Sequence, residues 1–276
     1  MLIENDAMVR QYIPNVLATC EGEMSLYDKL QSHLKISERW LVENFVGEAL
    51  LETWSALEEE NRELALCRQI VVVNAFRRAV PSLDLVLTPN GFGIVSNGNI
   101  APASADRVRS LQEGLTADRD EAVQQLLLLM AQSEVWRASV QGQFFGATLF
   151  PTLDLSRLAG RTSDVWHHYK TLRQQVILIE DELAEKYISE DVYARLRQHV
   201  QSGEVSAVER PIVEALRAIE LELLAGKPLN YPRVISLVQT IREKPNDFPE
   251  WQTSQTAMYF CRPSFQNKEV SGGYWW

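Results

Sequence analysis

The side chains best suited to chemistry fall in a few short groups. His167-His168, with Asp164 three residues ahead and Glu180-Asp181-Glu182 further on, offers the residue types of a metal or acid–base site. Adjacent histidines on a helix diverge by about 100°, so they cannot grip one ion as an i, i+4 pair does. Three consecutive acids on a helix read as a solvated face. Gly91-Phe92-Gly93 has the opening of a phosphate-cradling loop, but Ser96 stands where the third glycine belongs. These glycines also fall in a turn between β-prone runs, not between a strand and a helix. Arg77-Arg78 and Arg107/Arg109 can meet a phosphate or an acidic neighbour, but ordinary surface charge is the simpler account of them. His33 and His199 stand alone. Cys20, Cys67 and Cys261 are odd in number, far apart and free of any Cys-x-x-Cys pair, so they read as small buried hydrophobes. No nucleophile elbow, Walker lysine loop or kinase signature occurs. No catalytic, cofactor-binding or metal-ligating residue is assigned.

What positions these groups follows from the whole chain. It has 276 residues, 46% of them apolar and 23% charged, with a net charge of −10. That composition belongs to a folded chain and disfavours disorder. The acidic balance also argues against a general nucleic-acid binder, which needs a clustered basic face. Glu4 and Asp6 precede the first basic residue, Arg10, and the densest apolar run, Leu126 to Ala131, is far too short to span a bilayer. The reading is a soluble protein made in a cytoplasm, not secreted and without a transmembrane segment.

Helical periodicity dominates. Leu64, Cys67, Ile70, Val71, Ala75 and Val80 suit one helix ended by Pro81, although Val71-Val72-Val73 favours a strand. Trp40, Leu41, Phe45, Ala49 and Trp54 also fall near helical spacing. Thr116 can cap a helix rich in leucine, with Asp118, Asp120 and Glu121 in its first turns. Uncharged Ala138–Leu153 reads as a packed connection. Ser163 is expected to cap a helix with a seam of Val165, Tyr169, Leu172, Val176, Ile179 and Leu183. Ser189 opens another, stopped by Ser202-Gly203, and Gly226-Lys227-Pro228 stops the next. Val234, Leu237, Val238 and Ile241 give a final face. No repeat of fixed period is evident.

One stretch differs. From Leu83 to Ala103 the only charged residue is Asp84. Asn90-Gly91 sits between the β-prone runs 83–88 and 92–96, the strongest short-range hairpin signal, because both turn residues tolerate positive φ. The tail from Trp251 carries little charge and ends Gly-Gly-Tyr274-Trp275-Trp276; such aromatics are expected to be docked. The expected fold is therefore mainly α: an antiparallel helical bundle with one inserted β-hairpin at about residues 83–96 and an irregular aromatic tail. Two segments, 1–150 and 151–276, are expected to pack as one globular unit.

Pro89 to Asn97, continuing through Ile100-Ala101-Pro102-Ala103-Ser104 to Arg107 and Leu111, together with the closing Gly-Gly-Tyr-Trp-Trp, resembles an uncharacterised family encoded by phages and prophages of gut Bacteroidales. Its members resemble head–tail connector or head-completion proteins. The resemblance implies a helical subunit with a projecting β element, assembled as a homo-oligomeric ring with other virion proteins such as a portal. It brings no catalytic residues, cofactor or metal. The implied role is a non-enzymatic virion structural or assembly protein, made in the bacterial host cytoplasm and then carried in the virion. No membrane or sequence-specific nucleic acid is implied. Asn90, Gly91 and Phe92 of the hairpin and Tyr274, Trp275 and Trp276 of the tail are the candidate interaction residues. A cytoplasmic enzyme or small-ligand-binding protein with a scattered site is the alternative.

Overall fold

The chain is described by a computed structural model covering residues 1–13, 24–56, 61–83, 85–88, 91–94 and 104–260; the strands 85–88 and 91–94 are described by their backbone. It is mainly helical and divides into two compact units, Met1–Val176 with Arg197–Val205, and Ile177–Leu196 with Ser206–Trp276. The divisions fall after Val176, Leu196 and Val205.

The first unit contains α1 (Asp6–Tyr12), α2 (Leu26–Leu41), a π-helical turn (Val42–Val46), α3 (Glu48–Ser55), α4 (Arg62–Ala79) and a 3-10 turn (Val80–Ser82). Two strands follow, β1 (Leu85–Thr88) and β2 (Gly91–Ile94), then α5 (Ala105–Met130), α6 (Glu134–Ala138), α7 (Val140–Gly146), α8 (Asp154–Leu158) and the first part of α9 (Val165–Leu183). Asparagine and serine side chains start most of these helices by accepting an otherwise unpaired backbone N–H, as Asn61 does from Leu64 at 2.7 Å.

α4 packs against α2 and α5 and is the spine of this unit. Its Leu64, Cys67, Ile70 and Val71 are buried as the periodicity predicts, but so are Leu66, Val72, Val73, Asn74 and Phe76. The valine run is helical. Burial of several apolar side chains, each about 1.5–3 kcal/mol, outweighs the few tenths that β-branching costs a helix.

Three expectations are corrected. Thr116 caps nothing: α5 is continuous, and the Thr116 hydroxyl donates back to the Gln112 carbonyl at 2.7 Å. Ala138–Leu153 is half helix; the Ser139 hydroxyl donates to the Trp136 carbonyl of α6 and accepts from the Gly142 N–H of α7. Ser163 does not cap α9, which starts at Val165 on an N–H held by a side chain of α5.

The second unit holds the rest of α9, a second π-helical turn (Ala184–Ile188), α10 (Glu190–Ser202, its end in the first unit), α11 (Arg210–Leu224), α12 (Tyr231–Arg242), α13 (Pro249–Gln252) and α14 (Gln255–Phe260). Ser189 starts α10 as expected, its hydroxyl accepting from Val192. Gly203 and Gly226, at φ +78° and +74°, end α10 and α11. Val234, Leu237, Val238 and Ile241 form the buried face of α12. Among the described residues no helix is long and apolar enough to cross a membrane.

Candidate functional site

The hairpin segment is strung between the two helices that pack most extensively, α4 and α5. β1 and β2 pair antiparallel, with Leu85 opposite Ile94, Val86 opposite Gly93, Leu87 opposite Phe92 and Thr88 opposite Gly91. Two strands make the whole sheet, so each has one edge with no strand beside it among the described residues. Gly91 and Phe92 thus open β2, and the glycines of Gly91-Phe92-Gly93 lie in a strand, not at a helix N-terminus. Asn90, Tyr274, Trp275 and Trp276, like Cys20 and Cys261, lie outside the described residues.

Ser104 restarts the chain as a helix, its hydroxyl accepting from Arg107 at 3.4 Å. The first ten residues of α5, Ala105–Gly114, include no buried side chain; burial begins at Leu115. At 1.5 Å per residue, that is about 15 Å of helix standing largely in solvent. Arg107 and Arg109 are exposed on it, and Arg109 pairs with Asp106 at 3.6 Å, an exposed pair of little energetic weight. The arm is the stretch of sequence 83–114, of which the structure describes Leu83, the paired strands and the helix start from Ser104.

Further along α5 lies a cluster of charges, of which the sequence offers Asp120 only as a first-turn acid and Arg77 as a surface charge. Arg119, 4% exposed, donates to Asp120 Oδ1 from Nε at 2.9 Å and from Nη2 at 2.6 Å. Its guanidinium lies 5.3 Å from the Trp40 ring centroid. Asp120 Oδ2 accepts from the Val165 N–H at 3.1 Å, so one carboxylate binds an arginine and holds the start of α9. That start needs holding: Asp164, just before it, has φ +43°, a conformation costly without a glycine. Asp164 also lies 3.6 Å from Arg119.

Burial pushes the Asp120 carboxyl up from the ordinary aspartate value, against the pull of Arg119 and of the Val165 N–H. Arg77, half-buried and not a plain surface charge, donates to Asn74 Oδ1, whose amide donates to Ser37. Burial, then the nearby Arg119, lowers the Arg77 pKa, and Asp164 and Asp120 oppose that. This cluster clamps α2, α4, α5 and the start of α9 together. It holds no nucleophile, and its acids are already engaged.

The other candidates disperse. His167 is exposed and His168 half-buried, with ring centroids 5.8 Å apart. No group of three or more His, Cys, Asp or Glu converges among the described residues. Glu180 is fully buried, correcting the reading of Glu180-Asp181-Glu182 as a solvated face; Asp181 and Glu182 are exposed, and Glu182 accepts from Lys186. Cys67 is buried, and desolvation pushes its thiol up to about 12, beyond ordinary reactivity. A surface groove of ≈ 460 Å³ beside α2 and α3 is lined by charges of both signs, among them Lys35, Glu38, Arg39 and Glu52.

The buried charges left no signal in the sequence, because Arg119-Asp120 interrupts an apolar pattern in the way a surface pair does. The hairpin segment did leave one, in the near absence of charge from 83 to 103 and in its Asn-Gly.

Residues 13–145, which contain the arm and the clamp on α4 and α5, match the model of a family of unknown function (DUF6712). No curated protein and no solved structure matches the chain significantly.

Proposed function

We propose that this protein is a non-enzymatic virion assembly protein of the head–tail connector kind, which joins copies of itself and neighbouring virion proteins through its arm. The observation that carries the reading is the arm. A short hairpin and a solvated helix start lie in sequence between α4 and the buried part of α5, the helices that the clamp holds. An isolated two-stranded hairpin is marginal in water, and open strand edges invite a further strand. Natural edges are commonly blocked by lysine or proline; apart from Asp84, residues 83–103 carry no charge. A partner that completes the sheet satisfies both needs. The resemblance in the hairpin segment and tail points the same way, and the acidic chain suits a channel wall that passes DNA without holding it.

In this reading the clamp is a positioning device. Arg77, Arg119 and Asp120 fix the helices that bear the arm, so its direction is set before any partner arrives. The protein is made in the bacterial host cytoplasm and ends in the virion, against a portal or its neighbour.

The genes beside its own test the reading most cheaply. Portal, capsid and tail genes are expected, and a metabolic neighbourhood overturns it. Electron microscopy of the purified full-length protein mixed with the adjacent portal protein should then show rings or decorated portals. Firm DNA binding at physiological salt counts against it.

A further inference from the structure

The two π-helical turns are built alike. At the first, α2 ends in Val42–Val46, Gly47 follows at φ +83° and ψ 152°, its N–H bonds the Val42 carbonyl at 2.9 Å, and α3 begins. At the second, α9 ends in Ala184–Ile188, Ser189 follows at φ +88° and ψ 147°, its N–H bonds the Ala184 carbonyl at 2.9 Å, and α10 begins. Aligned on these turns, Leu30, Glu38, Leu41, Glu43 and Glu48 coincide with Leu172, Glu180, Leu183, Glu185 and Glu190. Phe45-Val46 coincides with Tyr187-Ile188.

The likeness extends to what covers each turn. Trp136 Nε1 donates to the Phe45 carbonyl at 2.7 Å, and Trp251 Nε1 donates to the Tyr187 carbonyl at 3.3 Å. Three residues after each tryptophan stands a serine, Ser139 or Ser254. Its hydroxyl donates back to the tryptophan carbonyl, at 2.6 and 2.7 Å, and accepts from the N–H of Gly142 or Ala257, at 3.1 Å in both. Two residues further, Gln141 bonds the Glu43 carbonyl at 3.2 Å, and Thr256 bonds the Glu185 carbonyl at 3.5 Å. Each short helix then runs to an aromatic pair, Phe144-Phe145 or Tyr259-Phe260. The second ring of each pair lies near the π-turn aromatic, 5.9 Å for Phe45–Phe145 and 6.4 Å for Tyr187–Phe260. Chance repetition of one such bond is ordinary; four in the same order on the same skeleton is not.

The element orders also agree. Helix, π turn, helix, helix, helix and two short helices describe α2–α7, and the same words describe α9–α14. The difference lies between the third and fourth helices. The second set turns from α11 to α12 through Ala225–Asn230, whereas the first inserts the 3-10 turn, the hairpin and a longer α5. Accordingly 91 residues separate Phe45 from Trp136, and 64 separate Tyr187 from Trp251. Aligned on the tryptophans, the start of α12 at Tyr231 falls on Thr116. The buried Val234, Leu237, Val238 and Ile241 then fall on Arg119, Ala122, Val123 and Leu126, all buried. The solvated first third of α5 has no counterpart.

We propose that the chain is a tandem duplication of one helical module, and that the arm, residues 83–114, is an insertion in the first copy outside the module's own fold. This goes beyond the assembly reading and does not rest on it.

The test replaces Ser82–Gly114 in the full-length chain by the second copy's turn, Ala-Gly-Lys-Pro-Leu. The proposal expects an undiminished helical signal per residue and a cooperative melt within about 5 °C of the parent. A chain that melts without cooperativity, or loses helix, overturns it. Trp136→Phe and Trp251→Phe, which keep an aromatic ring but lose the indole N–H and part of the buried ring volume, test the equivalence separately. Each is expected to lower the melting temperature by a few degrees, and a neutral result at either site overturns the equivalence. Light scattering of the loop variant reads the other proposal on its own. A folded variant that still assembles with portal leaves the duplication standing and removes the arm from the connector reading.

Discussion

The two copies of the module share a skeleton and differ in what fills it. Around the first π turn the filling is aromatic: Phe45, fully buried, has ring centroids of Trp166 at 4.6 Å and Trp40 at 5.0 Å. Around the second, Tyr187 is only half-buried, and the nearby helices are tied by charge. There Arg195 Nε lies 3.3 Å from Glu209 and 3.0 Å from Glu250, with its guanidinium 4.8 Å from the Phe248 ring centroid. What persists is the tryptophan N–H on a turn carbonyl, the serine between two short helices and the positive-φ residue after the turn. Backbone groups that must be satisfied constrain a module more tightly than the identity of its packing does.

The largest effect should come from truncating the tryptophans. Trp136→Ala removes a fully buried ring from the aromatic set and frees the Phe45 carbonyl, at a cost of about 3–5 kcal/mol. Trp251→Ala is expected to cost less, because its N–H bond is longer and its surroundings are held by ions as well. Urea titrations of both variants measure the difference. Equal costs would mean that the filling does not matter and would break the comparison.

Next comes the clamp, which only the first copy has. Asp120→Ala leaves Arg119 buried without its carboxylate and the Val165 N–H without its acceptor, a loss of about 3–5 kcal/mol. The second copy carries Val234 and Ile235 at the aligned positions. The double change Arg119→Val, Asp120→Ile should therefore recover part of the loss, since no unpaired charge remains. A double variant no better than Asp120→Ala would show that the clamp acts through the Val165 bond alone.

These contrasts also mark what a sequence exposes. Ser189, Gly203, Gly226 and the α12 face were legible because caps, stops and periodicity are local. Glu180 and Arg77 read as surface charges, and Arg119 gives no signal at all, because a buried charge has the same letters as an exposed one. The duplication escaped a search for fixed periods for two physical reasons. Its shared features are mostly backbone bonds, which Gln141 and Thr256 can both supply, and the inserted arm makes its spacing unequal. Spine helix α4 showed one buried face and hid the others, Leu66, Val72, Val73, Asn74 and Phe76, because burial on several sides erases amphipathicity.

A smaller effect is expected at the residues after the π turns. Gly47→Ala forces a side chain into positive φ, with its Cβ about 3.1 Å from Gln141 Oε1, and should cost about 1–2 kcal/mol. Ser189→Gly relieves the same strain but removes the hydroxyl that accepts from Val192, so it should be nearly neutral, within about 0.5 kcal/mol. Thermal melts of the two variants read the asymmetry directly. A destabilised Ser189→Gly would make the cap, not the backbone, the reason for serine there.

The smallest effect separates the copies by pH. His33 on α2 aligns with Gln175 on α9, which is exposed. Its Nδ1 is buried with no hydrogen-bond partner among the described residues, and burial, then the charge of Arg78, lowers its pKa below the ordinary 6.5. The unfolded chain therefore takes up this proton first as pH falls. Stability present above about pH 6.5 is lost as the pH drops through that value toward the lower folded-state pKa. Asp120, raised by burial, works in the opposite sense, because the folded state takes its proton first, so the parent must be compared with a variant. His33→Gln, which installs the second copy's residue, should flatten the fall in melting temperature between pH 7.5 and 5.5 and leave its value at pH 7.5 nearly unchanged. Superimposable profiles would place the imidazole in contact with solvent and erase this distinction between the copies.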